Sequence, residues 1–142
     1  CFLALTNRVN VLIGKNEQKY KNLSIPKTEV NKIQRRIKKV LEEKELYLND
    51  RLRLSDVSET LKIPAHVISR AINEIGGKNF PQYINELRIE KAKEKLIRES
   101  DKKVIAVAYE SGFRSLSAFN RAFKKNAGIN PSEYRLKYSS KN

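Results

Sequence analysis

Residues 104–135 read VIAVAYESGFRSLSAFNRAFKKNAGINPSEYR. Val104, Val107 and Ala108 recur at helical spacing and run into Ser111, Gly112 and Phe113. Glycine takes positive φ without a β-carbon clash, so a corner is expected there. Ser115 is a good N-cap for a second helix. Its inward face would be Ala118 or Phe119, Ala122 and Phe123. Ser117, Asn120, Arg121 and Lys124 fall on the opposite face at i, i+3, i+4 and i+7. A helix, a tight turn and a second helix with a polar, basic outer face form the helix-turn-helix pattern.

The unit occurs once before. Leu54, Val57, Leu61 and Ile63 precede Pro64-Ala65-His66-Val67-Ile68-Ser69-Arg70-Ala71-Ile72-Asn73. Val57 and Ile63 lie fifty positions before Val107 and Phe113, whereas Ile68, Arg70 and Ile72 lie fifty-one before Phe119, Arg121 and Phe123. The second copy therefore has one extra residue at its turn. Each copy sets an arginine between two apolar positions. Ile63, Ile68, Ile72, Phe113, Phe119 and Phe123 are expected in the core, since their helical spacing suits packing better than a stacking platform.

The chain has 142 residues, with 30 Lys and Arg against 16 Asp and Glu and a formal charge of +14. A charge that large on a small domain suggests a polyanionic partner, although a merely solvated basic surface is the simpler alternative. The single Cys and single His exclude an internal disulfide framework, a Cys-rich zinc site and a His cluster. No nucleophile elbow, phosphate loop or metal-ligand spacing is present, so no enzyme, metal, cofactor or small-molecule site is expected. No long alternating β-branched run signals a strand. The chain holds no Met, so it is expected to be the C-terminal piece of a longer protein or a trimmed fragment. Nothing resembles a cleavable signal peptide.

Residues 46–138 resemble the DNA-binding domain of AraC/XylS-type transcription regulators. The resemblance rests on Ala108-x-x-x-Gly112-Phe113, Phe119-x-Arg121-x-Phe123-Lys124, and Gly128-x-Asn130-Pro131-x-x-Tyr134-Arg135. It covers about two thirds of the chain. It implies an all-α fold of about seven helices, with two helix-turn-helix subdomains joined by a linker helix. The implied partner is double-stranded DNA, with RNA polymerase as a second candidate. A sensor or dimer domain would lie upstream, outside this chain. A cytoplasmic, DNA-associated location follows, and some relatives carry a membrane-proximal segment just before this part.

Residues 1–27 read as an extension and linker, apolar over 1–14 but too short and polar to span a bilayer. Residues 28–142 are expected to form the DNA-binding domain. Its first helix, over about 28–44, shows an Ile33, Ile37, Val40 and Leu41 stripe. The first helix-turn-helix is expected over about 52–76, with Ser55 as cap and Asp56 at the positive helix end. A spacer helix follows over about 80–99, with Pro81 in its first turn and Ile84, Leu87, Ala92 and Leu96 inward. The second unit spans about 103–127. A final helix over about 130–138 is capped at Asn130-Pro131-x-Glu133.

A recognition helix lies in the major groove and reads base edges from its outer face. In the first unit His66, Ser69, Arg70 and Asn73 share that face. In the second, Ser117, Asn120, Arg121 and Lys124 do. Arginine makes two hydrogen bonds to guanine and asparagine two to adenine, each pair worth ~1–3 kcal/mol of discrimination. Arg70 and Arg121 lead the expected base contacts. The resemblance adds His66, Ser69, Leu116, Ser117 and Asn120 at groove-facing positions, and Asn73 completes the set by spacing. Leu116 stands where a polar residue is often found, and would either touch a thymine methyl or pack. Lys62, Lys124 and Lys125 are the expected phosphate contacts, with the helix starts near Ser55 and Ser115. The plainer alternatives are a phosphate contact or a salt bridge to the spacer helix for each Arg, and a solvated face for the Lys residues. The rival function is a non-specific or architectural nucleic-acid binder.

Overall fold

The structure is a computed structural model of the chain and describes residues 25–139. The apolar stretch 1–14 and most of the expected linker lie outside the described residues. Among the described residues every regular element is helical. Seven α-helices follow one another: α1 (Lys27–Lys38), α2 (Leu54–Leu61), α3 (Ala65–Asn73), α4 (Phe80–Arg98), α5 (Val104–Glu110), α6 (Leu116–Ala127) and α7 (Pro131–Ser139). A π turn (Lys39–Glu43) and a 3-10 turn (Leu46–Leu48) complete the set. The all-α expectation holds.

The described chain divides into two compact units, residues 25–44 with 52–80 and residues 45–51 with 81–139. In the first, α1 packs on α3 and α2. Val30, Ile33, Ile37 and Leu41 are buried, as are Val57, Leu61, Ile63, Val67, Ile68, Ala71 and Ile72. Two polar side chains tie α1 down. Gln34 Nε2 donates to the Ala71 carbonyl at 2.9 Å, and Arg36 Nη2 donates to the Leu61 carbonyl at 2.8 Å. Leu61 is the last residue of α2, and a carbonyl there has no partner within its helix.

Two expectations for this unit need correction. The first helix does not run as one α-helix to Lys44, because the π turn begins at Lys39. Ile33, Ile37 and Leu41 recur every four residues, which drifts around an α-helix. A π turn holds more residues per revolution and offsets that drift. Leu41 stays buried and Val40 is left half-buried. The second correction concerns Ser55, which is an exposed first-turn residue and not the cap. Arg53 occupies the N-cap, and its N–H donates to Asp56 Oδ2 at 2.8 Å. With Arg53 at the N-cap, Asp56 falls at N3, where its carboxylate accepts from the cap amide and its charge suits the positive helix end.

In the second unit Ile89, Ala92 and Leu96 of α4 form one core with Val107, Ala108, Phe113, Phe119 and Phe123. The expected spacer helix thus supplies a core wall, all but Phe80 counting with this unit. Ile84 is buried as expected, but Leu87 is half-buried and Ile89 takes the inward place. Two residues of helix separate them by roughly 200°. An aromatic row runs from Phe113 to Phe119 (5.2 Å), Phe123 (5.6 Å), Tyr134 (5.4 Å) and Tyr138 (4.4 Å) between ring centroids. Arg135 on α7 donates to the Leu96 carbonyl at 3.0 Å and the Glu99 carbonyl at 3.3 Å, closing the end of α4.

Candidate nucleic-acid interface

Both helix-turn-helix corners use the same backbone bond. The Ile63 N–H donates to the Ser58 carbonyl at 3.2 Å, and the Phe113 N–H donates to the Ala108 carbonyl at 3.1 Å. These six-to-one bonds need a left-handed residue between. Lys62 supplies it in the first unit at φ 57, and Gly112 in the second at φ 95. The first corner is reinforced by the buried Ser58 hydroxyl, which donates to the Ile63 carbonyl at 2.7 Å. Ala108 stands at the matching place and has no hydroxyl. Gly112 is instead held by close approach. Its backbone faces the Tyr47 and Leu48 carbonyls and the Arg88 side chain.

Arg88 anchors that corner. Its Nε donates to the Tyr47 carbonyl at 2.7 Å and its Nη2 to the Asn49 carbonyl at 2.8 Å. Its guanidinium lies 5.9 Å from the Phe113 ring centroid, within cation–π range. Burial pushes Arg88 below its ordinary pKa, with Asp50 opposing the shift. Lys91 adds an ion pair to Glu45 at 3.2 Å. Nothing in the sequence announces Arg88, since its acceptors are carbonyls some forty positions away.

Each corner presents a short exposed face. On α3, His66, Arg70 and Asn73 are exposed and Ser69 half-buried, opposite buried Val67, Ile68, Ala71 and Ile72. On α6, Ser117, Asn120, Arg121 and Lys124 are exposed, opposite Phe119 and Phe123. The α6 start is capped by Ser115, whose Oγ accepts from the Ala118 N–H at 3.1 Å. Pro64 caps α3 without a side-chain bond. The extra residue of the second corner is Arg114, exposed between Phe113 and Ser115. Leu116 is half-buried and packs against the core.

The expected phosphate partners Ser55, Lys62, Ser115, Lys124 and Lys125 are all exposed. The two arginines differ. Arg70 Nε lies 3.5 Å from Glu74 Oε1, with half of its side chain still exposed. That partner sits at the end of α3 itself and not on the spacer helix. Arg121 has no hydrogen-bond or ion-pair partner among the described residues, and Lys125 stands four positions on. The four-residue spacing of Arg70 and Glu74 is the only signal of that pair in the sequence. Among the described residues no group of His, Cys, Asp and Glu could hold a metal. No described helix is long and apolar enough to cross a membrane.

A family model for a helix-turn-helix domain matches residues 57–137, from the core of α2 through α7. The chain belongs to the AraC/XylS-type helix-turn-helix family. It is 35% identical over 98 residues to YijO, an uncharacterized HTH-type transcriptional regulator of Escherichia coli, covering 66% of this chain and 34% of YijO. The melibiose operon regulatory protein of the same organism is 32% identical over 84 residues, covering 59% of this chain and 28% of that one. Among solved structures, the C-terminal domain of the response regulator AraT from Geobacillus stearothermophilus superposes with a TM-score of 0.62. It is 25% identical, covering 81% of this chain and 88% of that one. The chain spans about a third of the length of the curated relatives it matches. The all-helical fold matches that of the AraC/XylS-type domain.

Proposed function

We propose that this AraC/XylS-type chain binds specific double-stranded DNA with α3 and α6, one major-groove segment each, and so regulates transcription. The observation that carries the reading is the doubled corner. Two helices of like build each turn an apolar side to a core and an arginine-bearing side to solvent. His66, Ser69, Arg70 and Asn73 on α3 then face bases, as do Leu116, Ser117, Asn120 and Arg121 on α6. Ser55, Lys62, Ser115, Lys124 and Lys125 meet phosphates. The formal charge of +14 supplies the non-specific part of the attraction. A relative named as an operon's regulatory protein supports the regulatory role. The remaining length of such relatives leaves room for a sensor or dimer domain, and a regulator at a promoter would meet RNA polymerase.

Selection from random duplexes, then competition against random DNA at fixed salt, tests this reading. Arg70→Ala and Arg121→Ala should each lose ~1–3 kcal/mol of discrimination, at different base pairs. Equal weakening on every sequence would reject base reading, and a selected-to-random ratio near one would favour the architectural rival.

A further inference from the structure

Glu74 is the C-cap residue of α3, four positions after Arg70, with its Oε1 3.5 Å from Arg70 Nε. The pair is badly built for helix stability. A carboxylate at a helix C-terminus meets the negative end of the dipole. Among i,i+4 pairs the favourable order also puts the acid first, and here the base comes first. The second copy does the opposite. Lys125 stands at the position matching Glu74, fifty-one residues on, in the last turn of α6 where the dipole favours a cation. The outward faces consequently differ in charge. Arg70 is offset by Glu74, while Arg121, Lys124 and Lys125 share a helix that contains no acid.

We propose that Glu74 is a positioning residue that sets the selectivity of the first unit. The inference rests on the reading that α3 and α6 meet DNA. The carboxylate lies nearest Nε, which leaves the terminal Nη pair of Arg70 for a two-bond contact to a guanine edge. It also repels nearby phosphates, where an untethered arginine would otherwise settle. Water is partly excluded once DNA is bound, and the pair strengthens there. α3 then contributes choice of sequence, and α6 contributes more of the salt-dependent affinity.

The test uses the full 142-residue chain, wild type, E74Q, R70A and the double variant, against a selected duplex and a random duplex of equal length. E74Q should bind the random duplex about two- to threefold tighter, the effect of one unit charge about 8 Å from a phosphate in water. The selected duplex should gain little, because there the lost repulsion is offset by the lost Glu74 hold on Arg70; the selected-to-random ratio should therefore fall by up to the same factor, and that fall should vanish in the R70A background. In the free protein, E74Q should leave the melting temperature unchanged or higher and shift the Arg70 Nε–H resonance. Three results would each overturn the proposal: an equal effect of E74Q on both duplexes, the same selectivity change without Arg70, or a lowered melting temperature. A wild type with no preference between the duplexes is a separate result. It rejects base reading itself, and the proposal with it, before any variant is measured.

Discussion

A β-carbon placed on Gly112 would stand 2.7 Å from the carbonyl oxygen of Tyr47. Tyr47 is buried, and its carbonyl is held by Arg88 at 2.7 Å, so it has little freedom to retreat. Gly112 also sits at φ 95, where a side chain is strained whatever the space. Gly112→Ala is expected to destabilise the second unit by ~2–4 kcal/mol, from positive-φ strain plus a backbone clash. Urea unfolding of the variant checks it, and a loss below that range would mean the 45–51 segment yields.

The first corner makes the converse prediction. Lys62 holds a left-handed conformation with φ 57. Lys62→Gly should be more stable than Lys62→Ala by ~0.5–1 kcal/mol, because both lose the side chain and glycine alone takes that region without a β-carbon penalty. If Lys62 also meets a phosphate, the same variant should weaken binding to all duplexes alike and lower the salt slope by about one. Unfolding and titration of the Gly and Ala variants side by side check both points: the two should differ in stability and agree in affinity.

Ser115 and Ser55 separate a capping serine from a non-capping one. The Ser115 hydroxyl accepts from Ala118 at 3.1 Å, whereas Ser55 lies within the first turn of a helix capped at Arg53. Ser115→Ala should cost ~1 kcal/mol and Ser55→Ala close to nothing. Thermal melts of the two variants decide it, and a large loss from Ser55→Ala would reinstate the cap expected from sequence.

Acid should act partly through Glu110. Lys102 Nζ donates to both Glu110 oxygens at 2.9 and 2.7 Å and lies 3.0 Å from Glu99. The hydrogen bond from Lys102 holds Glu110 below the usual carboxylate range, and the bond to Glu110 holds Lys102 above the usual lysine range. A depressed folded-state carboxylate stabilises above its unfolded pKa, and that contribution disappears as pH falls through the folded value. For Lys102 the contribution is present below the ordinary lysine value and is lost as pH rises through the raised one. Stability from this pair should therefore be level across neutral pH. Glu110→Gln should make the loss on the acid side shallower, as urea unfolding across a pH series would record. Identical acid limbs would refute the pairing.

Much of this architecture was legible in residue order. The fifty- and fifty-one-residue offsets located both corners, and the extra residue between them is Arg114. The six isoleucines and phenylalanines expected in the core are buried. Ser115 and Asn130 cap as their spacing suggests, with Asn130 Oδ1 accepting from the Glu133 N–H at 2.8 Å. These features are local, set within one or two turns by backbone chemistry and apolar period. At α2 residue type misleads: Ser55 is a good cap by type, yet Arg53 holds the N-cap because Asp56 accepts from its amide.

Sequence by itself determined that the chain is helical, that its unit is doubled and which isoleucines and phenylalanines the two corners hide, because helix period and cap chemistry act between near neighbours. Tertiary structure alone decided that residues 45–51 join the second unit and that Arg88 clamps them. It also decided that Ile89 and not Leu87 faces the core. Those outcomes depend on which carbonyls and apolar surfaces meet across some forty residues of chain, and no local pattern encodes that meeting.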